Sequence, residues 1–252
     1  MTLELQDRVA LITGGGTGMG RAIANALAQR GAHVALGYAH SHTEADATAN
    51  ELRANGTRSS VHRSDVARVA DCDALVHSVL DTYGRLDVVV NAAGTTRHVP
   101  FPDLAAITEE AWDDIFDVNL KGAFFVSRAA GQWMREHGDG RGSIVNIASV
   151  AAFVARGSSL PYTVSKSAMI HLTRSLATAL APRVRVNAVA PGLVLTRWWT
   201  RLGQETVDRQ VEGTIFKRAV ALEDVVDAAL LVIGNESMSG QTVTIDLVNV
   251  MH

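Results

Sequence analysis

Residues 8–31 read RVALITGGGTGMGRAIANALAQRG, and the fold of the whole chain turns on this stretch. Arg8–Ile12 is a short apolar run of the kind that fills a buried strand. Thr13–Gly20 follows at once, with glycines at 14, 15, 16, 18 and 20, and then an amphipathic run in helical period. Strand, glycine turn, helix is an arrangement suited to phosphate. Glycines let the backbone turn sharply and come close to a ligand, and a helix N-terminus offers free N–H groups and the positive end of a dipole. A glycine-rich turn with no ligand is the plainer alternative. The spacing of Gly14, Gly18 and Gly20 is G-x-x-x-G-x-G rather than the common G-x-G-x-x-G.

Outward from this unit, strand-like and helix-like segments keep alternating. HVALGY (33–38) reads as a strand, TEADATANELRANG as a helix, Arg58–Arg63 as a strand ending at Ser64-Asp65-Val66, and residues 67–83 as a helix. LDVVVNAAG runs as a strand into Asn91-Ala92-Ala93-Gly94. A long helical stretch from Thr108 to Gly138 is interrupted mildly near Asn119 and Gly122. GSIVNIAS is a buried strand ending at Ser149, followed by the helix PYTVSKSAMIHLTRSLATAL and the strand RVRVNAVAPG. After an irregular segment, EDVVDAALLVIG is a helix and QTVTIDLV a last strand. Such alternation predicts an α/β fold: a Rossmann-type, doubly wound parallel sheet of about seven strands with helices on both faces. With no repeat, low-complexity tract or linker, residues 1–252 are expected to form a single domain.

Two local features bear on chemistry. Tyr162 and Lys166 lie one helical turn apart, so the phenol and the ammonium share a helix face. A free phenol titrates at about 10, and a cation beside it lowers that value towards useful acid–base behaviour. Ser149, thirteen residues before Tyr162, ends a strand where its hydroxyl can hold a substrate oxygen. A tyrosine and a lysine at this spacing ordinarily just share a solvated face. Neither Tyr38 nor Tyr83 has a lysine four residues on, however, and the chain has three lysines against twenty arginines, so an ammonium at 166 is a specific choice. Asn119, inside an otherwise apolar helix, either marks a kink or is buried for a polar task.

Composition narrows the field. A net charge of −3 gives no electrostatic reason to expect nucleic acid or an anionic membrane as partner. Cys72 is the only cysteine, which rules out an internal disulfide and a cysteine-based metal site, and no metal is expected. The closest histidines, His40 and His42, sit in a polar stretch and are read as surface residues. Glu4, Asp7 and Arg8 precede only a short apolar run, which is not a signal peptide, so a cytoplasmic location is expected.

These residues together resemble the classical short-chain dehydrogenases/reductases over essentially the whole length. The matching elements are T-G-x-x-x-G-x-G at Thr13–Gly20, Asp65-Val66, Asn91-Ala92-Ala93-Gly94, Asn119, Ser149, Tyr162-x-x-x-Lys166, and Pro191-Gly192 followed by Thr196. The resemblance implies that Asn119, Ser149, Tyr162 and Lys166 are catalytic. Tyr162 would be the acid or base, Lys166 would bind the ribose and lower the tyrosine pKa, Ser149 would orient the substrate oxygen, and Asn119 would hold a water relay at a helix kink. It further implies a dinucleotide lying along Gly14, Thr17, Gly18, Met19 and Gly20. Asp65 and Val66 would meet its adenine, and Asn91, Ala92 and Gly94 its nicotinamide ribose. Pro191, Gly192 and Thr196 would lie near the carboxamide.

Tyr38, His40 and Ser41 would stand near the adenosine ribose. There GYAHSH carries no acid until Glu44, which removes repulsion against a 2′-phosphate, and His40, Ser41 or Arg21 can help bind one. NADP(H) is favoured over NAD(H) on that ground. The expected activity is reduction of a ketone or 3-oxoacyl group. An NAD-dependent secondary-alcohol dehydrogenase and a non-catalytic dinucleotide-binding redox sensor are the alternatives. The substrate is a small carbonyl or alcohol, shaped by a loop around 193–216 and by Phe153, Trp198 and Trp199, with Arg97, Arg156, Arg197 and Arg201 as anion contacts. Trp198 and Trp199 are adjacent and cannot face the same way.

The chain departs from the family's pattern at three places: Ala92 replaces an asparagine, LAPRVRVN lacks the glycine common before that strand, and Asp246 is followed by Leu247 and Val248 rather than two glycines. The last departure touches the end that forms subunit contacts in similar proteins, where a homotetramer or dimer is expected.

Overall fold

The computed structural model describes residues 4–200 and 203–247, with only the backbone described at Trp198 and Thr200. Seven parallel strands form one sheet in the order β3-β2-β1-β4-β5-β6-β7. In chain order they are β1 (Val9–Thr13), β2 (His33–Tyr38), β3 (Ser59–Arg63), β4 (Val88–Asn91), β5 (Gly142–Ile147), β6 (Val184–Pro191) and β7 (Thr242–Ile245). Long helices join them: α1 (Gly18–Ala28), α2 (His42–Ala54), α3 (Val69–Tyr83), α4 (Glu109–Phe116), α5 (Ala123–His137) and α6 (Leu160–Leu180). Between β6 and β7 lie the short α7 (Arg197–Thr200), then α8 (Gln204–Glu212) and α9 (Leu222–Gly234). The order reverses between β1 and β4, and this switch point leaves a crevice at the carboxyl ends of the strands.

Strand alternation divides the core into two layers. Ala10 and Ile12 of β1 pack with Ile23 and Leu27 of α1, Leu52 of α2 and Val225 and Val232 of α9. Val9 and Leu11 point the other way, to Leu75 and Val79 of α3, Val126 and Met134 of α5 and Leu176 of α6. Every residue of β1, β4 and β5 is buried, as a strand covered on both faces must be. A full-sized aliphatic side chain buried like Leu11 stabilises by about 1.5–3 kcal/mol.

The interruption expected near Asn119 is a π-helical turn, Asp117–Gly122, that joins α4 to α5 without a break in the chain. Two residues account for it. Asn119 is fully buried and its amide is bonded outside the helix, while a Cβ on Gly122 would sit 2.7 Å from the Val66 carbonyl oxygen. A wider turn carries both constraints.

No glycine is needed before β6. Arg183 donates to the Arg135 and Gly138 carbonyls at the end of α5. Arg185 donates to the Val232, Ile233 and Asn235 carbonyls at the end of α9, and both are favourable places for a cation. At the amino ends of the strands, opposite the crevice, buried Asp87 accepts from Arg8, Arg85 and the Val9 N–H, tying β1 to β4. The segment read as irregular, 193–216, holds α7 and α8 and one parallel bridge, Val194 to Val220. His42, read as part of a polar loop, opens α2, and both His40 and His42 are exposed.

Candidate active site

The crevice is built from the strand ends in register: Thr13 beside Gly37 on one side and Asn91 on the other, and Asn91 beside Asn146. Gly14 (φ +65°) and Gly18 (φ +54°) both take left-handed backbone conformations that side chains resist. A Cβ at Gly14 would also press on the Ala93 backbone at 3.0 Å. The N-terminus of α1 begins at Gly18. No side chain caps it, Thr17 at the capping position included, and no acidic residue lies in its first turn. Its N–H groups therefore suit an anionic diphosphate, and Gly14, Thr17, Gly18, Met19 and Gly20 would hold one. Thr196 leans over this turn, with its methyl carbon 3.8 Å from where a Gly18 Cβ would stand. Pro191 closes β6, and the Gly192 N–H donates to the Ile245 carbonyl at 2.8 Å.

On the adenosine side, Asp65 accepts from the Ala67 N–H and its own N–H donates to Asp71. Val66 is buried beside Gly122. Tyr38 ends β2 with its ring edge-on to His42, and His40 and Ser41 lead into α2. Arg21, named as a contact for a 2′-phosphate, has a partner within the chain. Arg21 makes a two-pronged ion pair with Glu51, at 2.7 and 2.8 Å, and so is already engaged by a carboxylate.

The four residues with implied catalytic roles converge from three elements. Ser149 leaves β5 and accepts the Ala151 N–H at 3.2 Å, which orients its hydroxyl at the head of a short 3₁₀ turn. Tyr162 and Lys166 lie on the first turns of α6, and the Lys166 Nζ is 5.8 Å from the centre of the tyrosine ring. Lys166 is 4% exposed and donates to the Ile147 carbonyl at 2.7 Å. Burial depresses its pKa to about 8. Burial likewise pushes the Tyr162 phenol up, and its hydrogen bond with Ser149 works against that. Desolvation therefore dominates both groups; the lowering of the tyrosine expected from Lys166 is not found, only the Ser149 hydrogen bond opposes burial, and the tyrosine stays protonated at neutral pH.

From the π turn the buried Asn119 links the segment after β4 to α6. Its Oδ1 accepts the Thr95 N–H at 2.8 Å, while its Nδ2 donates to the Thr95 carbonyl at 3.0 Å and to Ser165 Oγ at 3.1 Å. Asn91 donates to Ser127 and to Asn146, and Asn146 donates to Thr173, so a buried polar chain pins β4 and β5 to α5 and α6. The Ala92–Gly94 segment is held by the Ala93 N–H donating to Thr13 Oγ1 at 3.1 Å. Ser165, Asn146 and Thr173 are not picked out by any sequence motif, whereas Thr95 opens the stretch after Gly94 expected to shape the substrate. The available signal was a polar residue at a buried helical or strand position, which is costly unless it is bonded.

Residues 95–100, whose Val99 N–H donates to the Ser158 carbonyl, face α7. Trp199 stands edge-on to His98 at 6.4 Å across the mouth. Phe153 is partly buried against Met169 and Ile170 in the wall. Arg97 pairs with Asp114 at 2.6 Å and Arg197 with Glu44 at 3.4 Å, while Arg156 is exposed. The Trp198 side chain and Arg201 lie outside the described residues.

A family model described as short chain dehydrogenase matches residues 8–206. A Streptomyces violaceoruber protein named as a ketoacyl reductase of the granaticin polyketide synthase is 38% identical over 240 residues, covering 94% of each chain. The 3-oxoacyl-[acyl-carrier-protein] reductase FabG of Staphylococcus aureus is 34% identical over 241 residues, covering 94% of this chain and 96% of its own. Among solved structures, a short chain dehydrogenase from Burkholderia cenocepacia in complex with NADP superposes with a TM-score of 0.88 at 32% identity, covering 97% of this chain and 98% of the other.

Proposed function

The chain belongs to the short-chain dehydrogenase/reductase family, and on that premise we propose that it is an NADPH-dependent reductase of ketones or 3-oxoacyl thioesters. It is an oxidoreductase acting on a CH–OH/C=O group. The observation that carries the finer reading is the convergence of Tyr162, Ser149 and Lys166 beside an uncapped, acid-free helix N-terminus. A bound reduced nicotinamide supplies the hydride. Ser149 Oγ holds the carbonyl oxygen, and Tyr162 Oη gives that oxygen its proton as negative charge builds there. The Lys166 ammonium stabilises the phenolate left behind and holds the ribose. Positioning by the two walls of the crevice accounts for much of the remaining acceleration.

NADP(H) is supported by the acid-free GYAHSH stretch and by the NADP complex of the Burkholderia protein. The 3-oxoacyl class comes from the names of the relatives. Trp199 and Phe153 line the substrate side in this reading, residues 1–252 act as one domain, and the protein works in the cytoplasm as a homo-oligomer. No helix among the described residues is long and apolar enough to cross a membrane.

Titration of the purified protein with NADPH and with NADH, followed by turnover assays on a 3-oxoacyl thioester and a panel of ketones, tests the proposal. The expected result is tighter NADPH binding and NADPH-dependent carbonyl loss. Preference for NADH with oxidation of secondary alcohols would replace it with the dehydrogenase reading. Cofactor binding without turnover on any carbonyl or alcohol would indicate a sensor.

A further inference from the structure

We infer that Ser165 is a positioning residue for the reduction, tethering the wall of the crevice at Thr95 to the helix that carries Tyr162. The inference rests on the reading of Tyr162 as proton donor. Ser165 lies on α6, its side chain fully buried, between the tyrosine and Lys166. A serine hydroxyl has one proton, and here it goes to the Tyr162 backbone carbonyl at 2.8 Å. The oxygen is then left as acceptor for Asn119 Nδ2 at 3.1 Å. The second N–H of that amide goes to the Thr95 carbonyl, and its Oδ1 accepts the Thr95 N–H.

Every donor and acceptor in this chain is thus used once, and its polarity runs one way. A flipped Asn119 amide would set its oxygen against the Thr95 carbonyl. Without the Ser165 oxygen, one Asn119 N–H would be buried with nothing to bond, which favours a turned or retracted amide. The partners differ in stiffness. α6 is a 21-residue helix with ten buried residues, whereas residues 92–100 have no regular structure of their own. The tether therefore holds the wall to the helix, not the helix to the wall. It sets the spacing between the Tyr162 phenol and the wall past Gly94. A drift of about 1 Å in such a spacing can lower a rate by up to about a hundredfold.

The test compares Ser165→Ala, Ser165→Thr and Ser165→Cys with a control on the same helix, Ser167→Ala, whose exposed hydroxyl bonds the Ala152 carbonyl of the 3₁₀ turn. For Ser165→Ala the expected result is a kcat about tenfold below wild type, with the KM of the carbonyl substrate and the NADPH dissociation constant within about twofold. Threonine, which keeps the hydroxyl, recovers most of kcat, cysteine falls between, and the control is unchanged. In parallel, hydrogen exchange at the Thr95 amide speeds up in Ser165→Ala while the amides of α6 keep their protection.

A kcat within twofold of wild type in both the alanine and the cysteine variants overturns the inference. So does a parallel loss of kcat, cofactor affinity and thermal stability that threonine does not recover. If alanine does not fold, the cysteine variant decides on the same two criteria. If wild type reduces no carbonyl, the functional reading fails, and unchanged Thr95 exchange would remove the tether as well.

Discussion

Arg197 Nη1 lies 3.4 Å from Glu44 Oε1, joining the segment after β6 to the first turn of α2 across the crevice. The two residues are 153 positions apart in sequence. On the other bank of the same segment Trp199 meets His98, and between them Thr196 covers the glycine turn. α7 is therefore fastened on both sides of the space that the proposed reading gives to the dinucleotide.

The ion pair should slow cofactor release. Its side chains are 39% and 51% exposed, so solvent screening limits it to about 1 kcal/mol, or about fivefold at most. Glu44→Gln and Arg197→Gln are each expected to raise the NADPH dissociation rate two- to fivefold, by about the range that limit allows. The difference should fade at about 0.5 M salt. Equal rates for wild type and variants at low salt in stopped-flow fluorescence would exclude the pair as a fastening.

Trp199→Ala removes the ring that faces His98 at the mouth. The carbonyl KM should rise several-fold while the NADPH dissociation constant stays nearly constant. Equal changes in both constants would assign the ring to general packing.

Tyr162→Phe deletes the proton donor and keeps the ring. Reductive kcat should fall by about 10²- to 10⁴-fold, the range of general acid catalysis, with NADPH still bound. A variant as active as wild type would remove tyrosine from the mechanism.

Lys166 gives the site its pH dependence. With a pKa of about 8, its ammonium is lost as pH rises through that value, so kcat/KM for reduction should decline on an alkaline limb near 8. Stability moves the opposite way. Between about 8 and the ordinary 10.5 the unfolded chain binds the Lys166 proton more tightly than the folded one does. The penalty for burying the ammonium is thus full below about 8 and fades as pH rises across that window. Tyr162, whose pKa is raised, erodes stability only above its ordinary value of 10.0. Urea titrations at pH 7.5 and 9 should show a rise for wild type that Lys166→Met lacks, and equal slopes for the two proteins would contradict this account.

Asp87→Ala tests the end of the central strands that lies away from the crevice. Removing this buried carboxylate leaves Arg8 partly buried without it and the Val9 N–H unbonded. Arg8 keeps its pair with Asp139 at 2.8 Å, so the expected cost is about 1–3 kcal/mol in urea unfolding, chiefly from the unbonded Val9 N–H, with catalysis little changed in the folded fraction. A loss below about 1 kcal/mol would mean that solvent replaces the network.

Much of the fold is written locally. β2 spans the residues that its apolar run delimits, and the strands of the sheet's middle read as unbroken apolar runs because both of their faces are covered. The glycine turn is legible for the same reason, since Gly14 and Gly18 occupy backbone regions that other residues avoid. The positions of Ser149, Tyr162 and Lys166 follow from one strand end and one helical turn. Asn119 announced itself as a misfit in an apolar helix, although its bonds to Thr95 and Ser165 lie in parts of the chain that the misfit does not name.

What the sequence by itself determined is the order of strands and helices, the α/β class and the residues able to do acid–base chemistry. Each is a matter of spacing over a few residues, where backbone geometry leaves little choice. Only the tertiary structure decided which charges meet. Arg21 meets Glu51 on α2, and Arg197 reaches Glu44 from the far side of the crevice. Long side chains pair with whatever the fold brings within a few ångströms, and that proximity depends on how helices pack across the sheet, which no local pattern encodes.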